Sequence, residues 1–379
     1  MRIKSRTHAR GVVGFTVALS FALVATAGGS ATATQSPPRR TTRASNQIAA
    51  AQKALGPFAK LPTSIPQTTP LKAAPEKGKV LVWTECDAPQ CAIATKYFKE
   101  ATEAVGWKLQ VVNYKTADPA TLVAAMQQAL QYKPVATILV AQPFAVWNSV
   151  VPDYEKAGVA IIPWATGDVG KSTAIPTIVL DNTDYDAAGI AVANWFIVDS
   201  KAAGNALVWN VSQIPPIDRV AQTMRKTIEA GCSGCKVTML DAPYADVASG
   251  KAVPAIVSAL QRDRSIKYVL SAESALTTPL SGQLKAVGIK GIKIAGYSVE
   301  AADETLIKSG DEGAGVPNAS NIVNYLTVDA ALRIAEGAPL PIVHTNYTLL
   351  TKSLDFKPND EFSYPADWRE QFKKLWKVG

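Results

Sequence analysis

From residue 79 to about 345 the chain switches between two hydrophobic periods. Short runs rich in Val, Ile and Leu occur at 80–84, 108–113, 136–141, 159–163, 177–180, 206–210, 236–240, 266–271 and 292–295. They read as strands. Longer stretches between them carry apolar residues every three or four positions, at 91–105, 119–131, 145–157, 184–199, 217–230, 247–261 and 276–287, and read as helices. The boundaries have their own chemistry. Gly106 ends the first helix, and Asp118 caps the second with Pro119 in its first turn. After the strand at 292–295 the chain runs Gly-Tyr-Ser, then a helix closed by Ser309-Gly310, a short strand to Val316, and a helix opened by Pro317-Asn318 and continuing to about Ala335. Strict alternation of strand and helix predicts an α/β fold with parallel sheets. So many strands exceed what one sheet usually holds, so the pattern predicts two Rossmann-like lobes.

Charge is distributed unevenly. The chain of 379 residues has a formal charge of +8, but residues 1–75 hold ten Lys and Arg and no acid. Removing those ten from 39 leaves 29 basic against 31 acidic residues, about −2 for the folded part. Charge therefore gives no support for a nucleic-acid partner. The first residues explain the excess. Arg2, Lys4, Arg6 and Arg10 precede an apolar run over 11–27, and Ala31-Thr-Ala33 follows. This is the layout of an export signal over 1–33, cleaved after Ala33. No cysteine stands at the cleavage site for a lipid anchor, so the expectation is an exported, extracytoplasmic protein. Residues 34–78 are rich in Thr, Pro, Ala and Arg and read as a tether, with a short helix possible at 45–55. The last residues place Trp368, Phe372, Leu375 and Trp376 on one helical face. That face either packs on a lobe or docks elsewhere, since Lys373, Lys374 and Lys377 line its polar side.

Ligands of open α/β sheets sit beyond the carboxyl ends of the strands. That rule nominates Asp87 and Gln90, Phe144 and Trp147, Trp164, Arg219, Glu273, Tyr297 with Ser298, and Asn318. The rings favour an aromatic or mixed apolar and polar ligand, although such rings more often pack in a core. Four cysteines form two close pairs, Cys86/Cys91 and Cys232/Cys235. In an oxidising compartment two local disulfides are the default, the first stapling the loop that carries Asp87 and Gln90. The second pair is spaced C-x-x-C, but follows a helix and precedes a strand, the reverse of a thioredoxin-type site. Residues 165–172 approach a phosphate-binding P-loop without the helix that motif needs. Histidine occurs only at His8 and His344. Catalytic triads and His/Cys metal sites therefore have almost no raw material, and neither enzyme chemistry nor a cofactor is expected.

Several of these segments, in this order, resemble one family. VLVWTECDAPQCAIATKYFKEATEAVGWKLQVV, AGVAIIPWATGD, VLDNTDYDAAGIAVANW, IDRVAQTMRKTIEA, YVLSAESALTTPLSGQLKAVG and the stretch from Ile292 to Gly337 are similar to successive parts of the type I periplasmic solute-binding proteins, the ribose-binding family. The resemblance implies three interlobe crossovers near 181, 317 and 345. It assigns 79–181 with 318–345 to an N-terminal lobe and 182–317 with 346–379 to a C-terminal lobe and tail. It implies that Arg219 grips the ligand, and that Glu273 stands where the family usually has Asn or Asp. Asn318 keeps an amide-bearing type. Tyr297-Ser298 lacks the acid that often follows the aromatic, and Trp164-Ala165-Thr166 replaces an Asp-Arg pair of sugar binders. The implied function is capture of a small molecule, a sugar or an aromatic or carboxylate compound, for a membrane ABC permease. The alternative is a sensory module that signals to a receptor kinase.

Overall fold

The structure is a computed structural model that describes residues 39–167, 169–170, 172–341, 343–358 and 364–379. The expected export signal lies outside the described residues. The first sheet is built from β1 (Val80–Glu85), β2 (Lys108–Asn113), β3 (Ala136–Val140), β4 (Ala160–Gly167) and β5 (Val179–Asp181), in the order β2-β1-β3-β4-β5 and parallel throughout. The second holds β6 (Asn205–Asn210), β7 (Lys236–Asp241), β8 (Tyr268–Ser271), β9 (Lys293–Val299), β10 (Ala314–Pro317) and β11 (Leu350–Thr351). Its order is β11-β10-β9-β8-β6-β7, parallel except for β11. Central strands buried on both faces explain the near-continuous apolar runs, as in β3, where every residue is buried.

The helices are α1 (Arg39–Leu55), α2 (Pro89–Ala104), α3 (Pro119–Leu130), α4 (Phe144–Trp147), α5 (Val151–Ala157), α6 (Asn182–Asp199), α7 (Pro215–Gly231), α8 (Tyr244–Ala248), α9 (Ala252–Arg262), α10 (Leu280–Ala286), α11 (Ala301–Ser309), α12 (Ser320–Glu336) and α13 (Trp368–Trp376). Two expected helices are broken. The stretch 145–157 splits at a 3-10 turn, with Pro152 opening α5, and 247–261 splits at Gly250, whose φ is +74°. The strand expected to stop at 295 continues through Gly296, Tyr297 and Ser298. Among the described residues no helix is long and apolar enough to cross a membrane.

The chain passes between the sheets at the three expected places. β5 leads into α6, which packs on β9 and β10; β10 leads into α12, which packs on α2, β4 and β5; residues 344–349 then return to β11. A fourth crossing was not expected. The tether reading of 34–78 allows only a short helix at 45–55, yet from Arg39 these residues pack against the rest of the chain. α1 lies on α6 and α7 of the second lobe. The chain then runs to the first lobe, where Trp107 Nε1 donates to the Glu76 carbonyl at 2.9 Å and the Gly78 N–H donates to Gly106. Low apolar content is offset by backbone groups that find partners in the distant C-terminal residues.

The tail helix α13 packs inward. Trp368, Phe372 and Trp376 are fully buried, and Tyr325 of α12 stacks on Trp376 at 5.3 Å and meets Trp368 edge-on at 4.7 Å. Trp376 Nε1 donates to Asp329 Oδ1 at 2.9 Å, and Arg333 Nε donates to Asp329 Oδ2 at 2.7 Å, a buried pair inside α12. Arg369 binds Glu100 of α2. The tail is thus held by α12 and α2, helices that also pack on one another.

Candidate functional site

Backbone strain gathers where the two sheets present their carboxyl ends. Ala141, Ala165, Leu180, Ser298 and Ala319 have φ between 49° and 62° and close or follow strands β3, β4, β5, β9 and β10. Non-glycine residues rarely adopt this conformation, and strain of this kind clusters at ligand sites. β9 also comes unusually near β8. A Cβ on Gly296 would lie 2.2 Å from Ser274 Oγ and 2.6 Å from the Ser271 carbonyl, so only glycine fits before Tyr297.

At the carboxyl end of the second sheet, four nominated residues converge. Glu273 follows β8, with Ser298 of β9 beside its carboxyl. Its Oε1 is sealed from solvent and has no hydrogen-bond partner among the described residues. Burial raises this carboxyl to about 8, against the lowering effect of Ser298 and with help from Glu300 and Asp303. At neutral pH it is mostly protonated and can donate as well as accept. The Tyr297 hydroxyl donates to Asn318 Oδ1 at 3.3 Å and lies 3.2 Å from the Tyr347 hydroxyl. Tyr185 and Tyr347 both meet the Tyr297 ring edge-on, at 6.0 and 5.8 Å. Burial pushes all three phenols well above their usual range.

Tyr185 and Tyr347 join this candidate site through Tyr297 and were not among the nominated residues. Each lies within a few positions of a crossover the sequence reading had placed, which was the available signal. The crossovers are pinned together by Asp184. This buried carboxylate accepts from the Thr345 N–H at 2.7 Å, the Thr345 hydroxyl at 2.6 Å, and the Asp181 N–H at 3.2 Å. The Asp181 and Asp184 side chains form a capping box that starts α6.

The first lobe contributes differently. Trp164 is buried at the end of β4, edge-on to Trp83 at 5.9 Å and Phe98 at 6.1 Å. Its Nε1, and Thr166 Oγ1 two residues on, have no partner among the described residues. Asp168 lies outside those residues. Trp147 is wholly buried, edge-on to Phe144 at 4.8 Å, with Nε1 donating to the Gln142 carbonyl, so its ring belongs to the core beneath β3. Asp87 accepts from the Thr116 hydroxyl at 2.6 Å and its N–H at 3.1 Å, which holds its carboxyl below the usual range. It lines an open depression of about 400 Å³ with Tyr114 and Lys115. Gln90 sits half-buried in the first turn of α2. Both expected disulfides form. Cys86–Cys91 joins the end of β1 to α2, and Cys232–Cys235 joins the end of α7 to the start of β7, with Cα atoms 5.6 and 5.4 Å apart.

Arg219 is engaged within the second lobe. Its guanidinium forks onto Asp186 of α6, with Nε 2.7 Å from Oδ1, and the Thr223 hydroxyl reaches the same oxygen. Burial opposes ionisation of Asp186, but these bonds outweigh it and hold the carboxyl below its ordinary value. Asp218, the preceding residue, accepts from Asn210 and Gln222.

Residues 80–339, more than half of the chain, match the periplasmic binding protein domain family. Among solved structures, a 5-methylthioribose transporter solute-binding protein from Thermotoga lettingae TMO, in complex with 5-methylthioribose, aligns with a TM-score of 0.68 and 17% identity, covering 82% of this chain and 99% of that one. An ABC transporter solute-binding protein from Burkholderia graminis C4D1M, in complex with D-arabinose, aligns with a TM-score of 0.64 and 16% identity over 74% and 97%. An ABC sugar transporter subunit from Rhodobacter sphaeroides 2.4.1 gives 0.63 and 18% over 73% and 99%. No curated protein matches by sequence. Two lobes of parallel sheet, three crossovers and this match together place the chain in the type I, ribose-binding-like periplasmic binding protein family.

Proposed function

We propose that this protein captures a small, uncharged, polyhydroxylated solute between its two lobes outside the cytoplasm and delivers it to a membrane ABC permease. The observation that carries the reading is Glu273, with a sealed, unpartnered Oε1 at a strand end beside Ser298. A buried acceptor without a partner is costly, and a ligand hydroxyl would satisfy it. Trp164 Nε1 and Thr166 Oγ1 at the end of β4 are further groups of the kind that bind hydroxyls. A carboxylate ligand suits the site less well. Glu300 and Asp303 lie near Glu273 and add to the rise that burial gives its pKa, while Arg219 is committed to Asp186. The solved structures in complex with 5-methylthioribose and D-arabinose support the same class.

Release to a permease requires no chemistry from this chain. A solute that binds the closed arrangement more tightly than the open one supplies the switch by its differential affinity. A thermal-shift screen of the mature protein against pentoses, hexoses, polyols, amino acids and aromatic acids tests the reading. A solute at 100 times its Kd adds about 2.7 kcal/mol, a rise of several degrees. Hits confined to neutral sugars or polyols, lost in Glu273→Ala, are expected. Hits confined to carboxylates would overturn the proposal.

A further inference from the structure

The fourth crossing lies outside the matched family region, which begins at residue 80. α1 fastens it to the second lobe, where Ala51 is buried and Gln47 reaches Ser233 at 3.3 Å. Its next residues run beside the crossover at 344–349. The Leu349 N–H donates to the Phe58 carbonyl at 2.9 Å, the Thr348 hydroxyl to Lys60 at 2.9 Å, and Asn346 Nδ2 to Ser64 at 3.2 Å. Leu61 packs against a second-lobe cluster that contains Val299 and Leu350. Four residues later the contacts belong to the other side. The Ile65 N–H donates to Gln371 of α13 at 3.0 Å, Arg333 of α12 donates to the Thr69 carbonyl, and the Leu71 N–H donates to Leu375 at 3.0 Å.

We infer that residues 56–78 are a strap that restrains lobe opening and holds the ligand-free protein near its closed arrangement. Hinges open by changing φ and ψ at a few residues of each crossing. Here the strap must turn with the other three crossings, because it is fastened on both lobes and bonded to one crossover between them. Its transfer point is stiff. Pro62 and Pro66 have fixed φ, and each also restricts the residue before it, Leu61 and Ile65. Only Thr63 and Ser64 remain soft. A restrained hinge raises the fraction of molecules competent to hold solute, and apparent affinity rises in proportion.

The inference rests on the reading that the lobes close on a solute, but its test contains no solute, so the two can fail separately. Spin labels at Gln127→Cys on α3 and Ser258→Cys on α9, both exposed, report the distance between lobes in the full mature chain. Wild type is expected to show one narrow distribution. Pro62→Gly with Pro66→Gly should shift it to longer distances and broaden it. Asn346→Ala with Thr348→Val, which removes bonds to the strap and leaves its prolines, should move it in the same direction. A thermal melt of each variant confirms that it is folded. Superimposable distributions in wild type and both folded variants would overturn the inference, as would a wild-type distribution already as broad as theirs.

Discussion

At the scale of single residues, the site should announce itself through pH. Glu273 rises from an ordinary 4.5 to about 8 in the folded protein, Glu312 likewise to about 8, and Asp303 from 3.8 to about 6. Burial is the first cause in each. A carboxyl whose folded value exceeds its unfolded value binds more protons in the native state between the two, so stability falls as pH climbs through that interval. Melting temperature should decline from pH 5 to pH 8. Glu273→Gln should melt several degrees above wild type at pH 8 and level with it near pH 5; equal melting at both values would show that Glu273 is not held protonated. Burial raises Asp329 too, but Arg333 and Trp376 beside it favour its ionised form. Replacing it with Asn leaves the Arg333 guanidinium buried without its counter-charge, at a cost of about 3–5 kcal/mol read by urea unfolding. Neither behaviour could be read from the chain. Glu273 is one acid among 31 Asp and Glu, and the groups that shift it, Ser298, Glu300 and Asp303, lie well downstream in the chain. Arg219 shows the same limit, because Asp186 lies 33 positions away.

At the scale of elements, what the sequence revealed was whatever its own neighbours determine. Strand and helix alternation is a local pattern, and the order of β1 to β10 follows it closely. The breaks at Pro152 and Gly250 were visible as residues but not as breaks, since the apolar period runs on across both. Two close approaches make sharper tests. Gly296→Ala should lower the melting temperature by several degrees, because the new methyl group meets the Ser271 carbonyl at 2.6 Å and cannot be accommodated by a side-chain rotation alone. Trp376→Ala should cost about 3–5 kcal/mol in urea unfolding. It removes a ring stacked on Tyr325 and the indole donor to Asp329. An unchanged midpoint in that variant would mean that α13 is docked by its other residues.

For the whole molecule, the long connections set the order of events in folding. The strap emerges early from synthesis, yet its partners are among the last residues made. Ile65 waits for Gln371, 306 positions on, and the Lys72 carbonyl waits for Lys377, 305 positions on. Contacts of such sequence separation form slowly, because a large loop must close before they repay it. A growing chain can pair β1 with β2 and β3 as soon as they exist, but it cannot seat residues 65–72 until α13 has appeared. The completed fold is thus deferred to the finished chain, and a protein read as exported gains an interval in which its lobes are not yet fastened together.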